Sequence, residues 1–188
     1  PDMLPEGITG RVSYSPDVSG SGTADGSTSG ASTTSGAGYD VTLELSDAVT
    51  GMTGLTIYGG MSDVKNSSAS DDREEETIGV TYAMGGLTVG YQWSEEDLGT
   101  SVSEQQYEND GYGVTFAIND DLSIGYNHYE SQQTSTTNVT AEASSLQVAY
   151  SMGGASLRIA QAESTNEDYN TAAQYDRDAT TISVALAF

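Results

Sequence analysis

Two arginines, Arg11 and Arg158, are the side chains best placed to act on something outside the chain. Each lies in a segment where apolar and small polar residues alternate, and each falls on the polar phase. A guanidinium there can pair with a carboxylate on a neighbouring strand. If the polar face encloses water, it can instead set up a field that biases which ions pass. Pairing the segment at Tyr14 with that at Tyr39 puts Asp40 and Glu44 diagonally beside Arg11. Both readings of that group stay open: a transverse field, or a salt bridge within a wall. Arg158 has no acidic neighbour that the pattern assigns, which makes it the better selectivity candidate.

No catalytic constellation is present. The single histidine, His128, sits near one end of a strand-like segment and reads as an interfacial side chain. There is no nucleophile elbow, Walker loop or zinc motif. The chain has no Cys, so disulfide frameworks and thiolate metal sites are excluded. No cofactor is expected. Acidic runs such as Asp71-Asp72, Glu74-Glu75-Glu76 and Glu95-Glu96-Asp97 could offer hard oxygen ligands to Ca²⁺. The alternative is a solvated, repulsive rim, and no run has the spacing of a known calcium loop. With 28 acidic against 5 basic residues, for a formal charge of -23, the chain is no nucleic-acid binder of the ordinary kind.

The elements that carry these residues are short. Alternation predicts ten strands, at 7–15, 38–46, 54–62, 75–84, 87–95, 109–118, 122–130, 142–152, 155–163 and 179–188. The connections between them alternate long and short. Gly85-Gly86, Asn119-Asp120-Asp121 and Gly153-Gly154 are residues that tight hairpins favour, and Asp47 to Thr53 is a slightly longer turn. The long connections, at 16–37, 63–74, 96–108, 131–141 and 164–178, together with the strand ends that adjoin them, hold 21 of the 28 acidic residues, so one rim is strongly negative. The first of them is a flexible Gly/Ser-rich loop, expected on the extracellular side. Residues 1–188 read as one domain. The longest apolar run, Val184 to Phe188, is far short of the roughly 20 residues a membrane-crossing helix requires.

Alternation alone fits a β-sandwich as well as a membrane barrel. Three features favour the barrel. The polar phase is built mainly of Gly, Ala, Ser and Thr, not of the charged residues of a solvated sandwich surface. The aromatics of the apolar phase sort into two belts. Tyr14, Tyr39, Trp93, Tyr112 and Tyr126 lie toward the long connections; Tyr82, Phe116, Tyr150 and Phe188 lie toward the short ones, with Val between. The chain also ends within a strand pattern, on Phe188. The expected fold is therefore all-β: an antiparallel up-and-down transmembrane β-barrel, of which this chain supplies ten strands.

The hairpins Tyr82-Ala83-Met84-Gly85-Gly86-Leu87-Thr88-Val89-Gly90-Tyr91 and Tyr150-Ser151-Met152-Gly153-Gly154-Ala155-Ser156-Leu157, with the closing Leu186-Ala187-Phe188, resemble general porins of alphaproteobacteria. The resemblance covers nearly the whole chain and rests on pattern more than on one motif. It implies a water-filled channel in the outer membrane for passive diffusion of small polar solutes and ions. It also implies about sixteen strands in the complete barrel, assembly as a trimer, and a terminal Phe188 read by the barrel-insertion machinery. Lipid and lipopolysaccharide would be its surroundings, with Ca²⁺ able to bridge rim carboxylates to lipopolysaccharide phosphate. Ten strands are fewer than that family has. The chain, beginning at Pro1, is accordingly expected to be the carboxy-terminal portion, although a complete ten-stranded barrel stays open. The family's inward-folded, pore-narrowing loop would lie in the missing part. Two other classes compete: a structural or adhesive barrel with a plugged lumen, and a secreted Ca²⁺-binding β-sandwich.

Overall fold

The computed structural model describes residues 4–16, 35–66, 71–99, 106–134 and 138–186. It contains one sheet of ten strands: β1 (Ile8–Ser15), β2 (Ser35–Leu45), β3 (Leu55–Asn66), β4 (Arg73–Met84), β5 (Leu87–Asp97), β6 (Gln106–Ala117), β7 (Leu122–Thr134), β8 (Val139–Met152), β9 (Ala155–Thr165) and β10 (Arg177–Leu186). Each strand pairs antiparallel with its sequence neighbours, so the meander is simple and up-and-down. Among the described residues β1 and β10 do not pair, and the sheet is open.

The short hairpins form where the turn residues ask for them. Gly85 and Gly153 each sit at φ +59°, where a side chain would be strained, and each is the first residue of a two-residue turn closed by Met84–Leu87 or Met152–Ala155. Asn119 Oδ1 accepts from the main-chain N–H of both Asp121 and Leu122 at 2.9 Å, which fixes the third turn. The connection after β2 differs from the plain turn expected. It holds a one-turn helix, α1 (Asp47–Thr50), that ends on Gly51 in the left-handed region.

The strands are longer than alternation predicts, almost always at the end bearing the long connections. β4 starts at Arg73, β5 runs to Asp97, β6 starts at Gln106, β7 reaches Thr134 and β8 starts at Val139. Glu74, Glu96 and Asp97, expected in connections, are thus ladder residues, continuous with Glu75, Glu76 and Glu95. Glu76 stands opposite Glu95, and Glu95 opposite Glu108. Charge marks where a strand leaves hydrocarbon; it does not mark where hydrogen bonding stops, because carboxylates above the bilayer remain hydrated.

No apolar side chain is buried among the described residues. A soluble sandwich of this size would bury its apolar phase between two sheets; here there is a single sheet, with Val12, Val89, Val114, Val184 and their like exposed on one face. Among the described residues no helix is long and apolar enough to cross a membrane, which has no bearing on strands. The sheet is curved. Tyr58 on β3 and Arg158 on β9 line one cavity of about 650 Å³, yet six strand spacings in a flat sheet would separate them by about 29 Å. The face carrying both is the concave one.

Candidate functional site

The concave face is built from the polar phase. Its ladder rungs include Thr88–Thr115, Gly90–Gly113, Asn127–Ser145, Gln147–Ala160 and Arg158–Ser183. Most are small and hydrophilic, as the sequence predicts. Gly90, Gly111, Gly113 and Gly125 leave the main chain bare, and neighbours of the apolar phase such as Val89 and Tyr126 border the cavity as well.

The wall is less uniformly small than predicted. Three tyrosines, Tyr58, Tyr107 and Tyr129, project from it, with phase partners Gly79, Glu96 and Gly111. Tyr58 lies across Gly79: a Cβ there would come within 2.3 Å of its ring. Its hydroxyl donates to Gln92 Oε1 at 2.9 Å. Tyr129 lies beside Gly111, where a Cβ would meet its ring at an ordinary 3.5 Å, and donates to Asn109 Oδ1 at 2.7 Å. The rung therefore reads Tyr58, Gly79, Gln92, Gly111, Tyr129 across five strands. A two-residue period places these tyrosines on the polar phase from sequence alone; the glycines that receive them become visible only with the register.

Nearer the long connections the wall turns acidic. Glu75 and Glu96 stand directly opposite each other, a repulsive pairing by itself. Arg73 bridges them, at 2.7 Å to Glu75 and 2.5 Å to Glu96. Asp40, Glu75 and Glu96 line a second cavity of about 370 Å³ on this part of the wall. No group of three or more His, Asp or Glu side chains is placed to hold a metal ion among the described residues.

The predicted site residues fall as follows. Tyr14 pairs with Tyr39, and Arg11 stands opposite Thr42, with Asp40 and Glu44 on the flanking rungs. Asp40 accepts a hydrogen bond from Ser13. No ion pair joins Arg11 to either carboxylate among the described residues. Arg158 is exposed, between Ala149 and Ser183, and has no ion pair among the described residues. On the convex face Trp93 donates to Glu108 at 3.1 Å, and Tyr112 packs 5.2 Å from the His128 ring. Tyr82, Phe116 and Tyr150 take rungs of the same face nearer the short turns; Tyr126, expected toward the long connections, shares the rung of Tyr82, Val89 and Val114, below Tyr112. Tyr91, beside Tyr112 on that face and bonded to Asp110, belongs with the upper aromatics and was not singled out from sequence. His128 lies there too, 2.9 Å from Glu130. Phe188 and most of the loop 16–37 lie outside the described residues.

One arrangement has no counterpart in the sequence reading. The connection between β9 and β10 contains two one-turn 3₁₀ helices, Glu167–Tyr169 and Ala173–Tyr175. Tyr169 reaches past β8 to the concave side of β7 and β6. Its hydroxyl is 2.7 Å from Ser131 Oγ, and its ring centroid is 5.4 Å from that of Tyr107. Ser131 already donates to Asn109 Oδ1, so the Tyr169 hydroxyl is the donor in their bond. Burial pushes the Tyr169 hydroxyl above its usual pKa, and Tyr107, Tyr129 and the negative Glu96 raise it further.

Together these features make a curved wall, greasy outside and hydrophilic inside. No curated protein gives a match. The family model described as Gram-negative porin matches residues 5–169. That span is most of the 188-residue chain, and the chain belongs to the Gram-negative porin family.

Proposed function

We propose that this chain is the carboxy-terminal part of an outer-membrane general porin of the alphaproteobacterial kind, a water-filled channel for passive diffusion of small polar solutes and ions. The observation that carries the reading is the pairing of an unburied apolar face with a concave polar one that encloses a cavity from β3 to β9. Residues 1–188 act as one domain in the outer membrane, and the loop 16–37 faces the exterior. Tyr14, Tyr39, Trp93 and Tyr112 form the outer aromatic belt; Tyr82, Phe116, Tyr126 and Tyr150 lie toward the inner one. Phe188 serves as the signal to the insertion machinery. The complete protein assembles as a homotrimer in lipid and lipopolysaccharide, without a cofactor; loop-bound Ca²⁺ is confined to bridging at the rim.

Within the pore, Arg11, Asp40, Glu44 and Arg158 face the water. Asp40, Glu75 and Glu96 line the cavity nearest the long connections, and this acidic mouth gives a weak preference for cations. The channel, reconstituted in planar bilayers, should conduct with a reversal potential on the cation side under a salt gradient. Arg158→Gln should move that potential further toward cations. An electrically silent protein, or a purified chain that stays soluble and folded without detergent, would overturn the assignment.

A further inference from the structure

We propose that the β9–β10 connection is a size-limiting element of the channel, held over the concave wall by Tyr169. This rests on the channel reading above and adds to it the segment that sets the exclusion limit. The connection does not stand up from the rim. It is tied inward at several points. Asn166 Nδ2 donates to the Thr140 carbonyl at 2.8 Å, on the mouth end of β8. Tyr169 crosses farther, to Ser131 on β7 and Tyr107 on β6. From β9 to β6 is three strand spacings, about 14 Å along the wall. A segment of eleven residues between the strands therefore covers a broad part of the mouth.

Three observations separate this from a loop resting by chance. First, Ser131 is only 5% exposed, the one buried polar side chain among the described residues. In an otherwise open wall, something must cover it, and Tyr169 is its partner. Second, the polar groups there form a closed relay: Tyr169 donates to Ser131, Ser131 donates to Asn109, and Tyr129 donates to the same Asn109 oxygen. Third, Asn166, Asp168 and Tyr169 all have φ of +54°. Asn and Asp tolerate that region; a tyrosine does so only under constraint. The backbone is bent out of its preferred range to bring the ring to the wall. At the base, Glu167 accepts from Ser164 at 2.8 Å and pairs with Arg177 at 2.6 Å, which staples the two strand ends that launch the segment.

The test uses the complete channel in planar bilayers and in liposomes. Tyr169→Asn is the main variant, since Asn accepts the left-handed backbone while losing ring and anchor. Single-channel conductance should rise by about 1.5-fold or more, and a disaccharide should enter liposomes at a rate closer to that of a monosaccharide. Tyr169→Phe keeps the contact with Tyr107 and should fall between wild type and Tyr169→Asn. Amide hydrogen exchange over residues 167–175, measured in detergent, should speed up in Tyr169→Asn. Unchanged conductance and solute cut-off alongside faster exchange would overturn the size-limiting role. Unchanged exchange would overturn the anchor itself, whatever the current shows. A wild-type protein that passes no current would sink the channel reading, and the exchange result would still decide the anchor.

Discussion

Gly79→Ala is the most informative single substitution on the wall. An alanine Cβ would fall 2.3 Å from Tyr58 Cζ and 2.4 Å from its hydroxyl oxygen, far inside contact distance. The strand backbone cannot yield without breaking pairs to both Tyr58 and Gln92. The ring can, because it borders an open cavity. It should therefore swing off the wall and give up the bond to Gln92. Losing that bond costs about 0.5–1.5 kcal/mol, and overpacking that is only partly relieved adds up to about 1 kcal/mol. An expected loss of roughly 1–2 kcal/mol follows, together with a lower conductance because the ring now projects into the lumen. Gly90→Ala is the internal control. Its nearest contact would be Thr81 Cγ2 at 3.4 Å, and its φ lies outside the left-handed region, so the change should be neutral or stabilise by about 0.4–1 kcal/mol. The assay is denaturant-induced unfolding in lipid vesicles, followed by the fluorescence of Trp93, the only tryptophan. Tyr58→Ala completes a cycle: in the double variant the clash is gone, and Gly79→Ala should lose most of its cost. If Gly79→Ala and Gly90→Ala behave alike, or if Tyr58→Ala fails to rescue, the account of tyrosine lying across glycine is wrong.

Three further outcomes are expected. Val114→Arg puts a charge on the convex face between Val89 and Tyr126 and should destabilise by about 2–4 kcal/mol in a bilayer; Thr115→Arg, one residue on and facing the concavity, should cost far less, and equal costs would reverse the assignment of inside and outside. Arg73→Gln leaves Glu75 facing Glu96 unbridged; because these side chains are partly exposed the loss should stay below about 1 kcal/mol and shrink at high salt, so a salt-independent loss would refute an electrostatic cause. Because the Tyr169 hydroxyl titrates above its unfolded value of 10.0, the folded state holds the proton more tightly. Its contribution is present in full below pH 10 and is lost as pH rises through the folded value, so wild type should lose stability more steeply above pH 10 than Tyr169→Phe, as read by unfolding midpoints.

Strand positions were legible in the sequence because the two-residue period is strict wherever one face meets lipid. Ile78, Val80 and Tyr82 leave no choice of phase, and the Tyr14–Tyr39 register follows from the same alternation. The upper strand ends were not legible. Glu74, Glu96 and Asp97 look like loop by composition, yet above the bilayer a ladder carries any hydrophilic residue. The polar wall was half legible. The phase of Tyr58 and Tyr129 can be counted, but their partners Gly79 and Gly111 belong to other strands. Tyr169 could not be found at all, since its connection has no period and its contacts lie 38 and 62 positions away in sequence. The one local hint is Asn166-Glu167-Asp168-Tyr169-Asn170, a run rich in residues that tolerate a left-handed backbone.

The open edges say something about what the sheet must join. Val12 and Tyr14 on β1 are 75% and 68% exposed, and Ile182 and Val184 on β10 are both 66% exposed; Val89 and Val114, in the middle, are 38% exposed. The excess at the edges is what a missing neighbour strand leaves behind. In hydrocarbon an edge also leaves a row of main-chain N–H and C=O groups without partners, each costing several kcal/mol. An open ten-stranded sheet therefore cannot be the state in the membrane. β1 runs from the side of the short turns to that of the long connections, and β10 runs back. The two edges can pair antiparallel with each other, or with further strands of the same up-and-down meander. In the second case the number inserted must be even, since an odd number would bring one junction together in parallel. The proposed carboxy-terminal portion satisfies this with six strands in a sixteen-stranded barrel, about the size the family resemblance implies; a complete barrel found to hold an odd number of additional strands would require a parallel seam that nothing in this meander prepares.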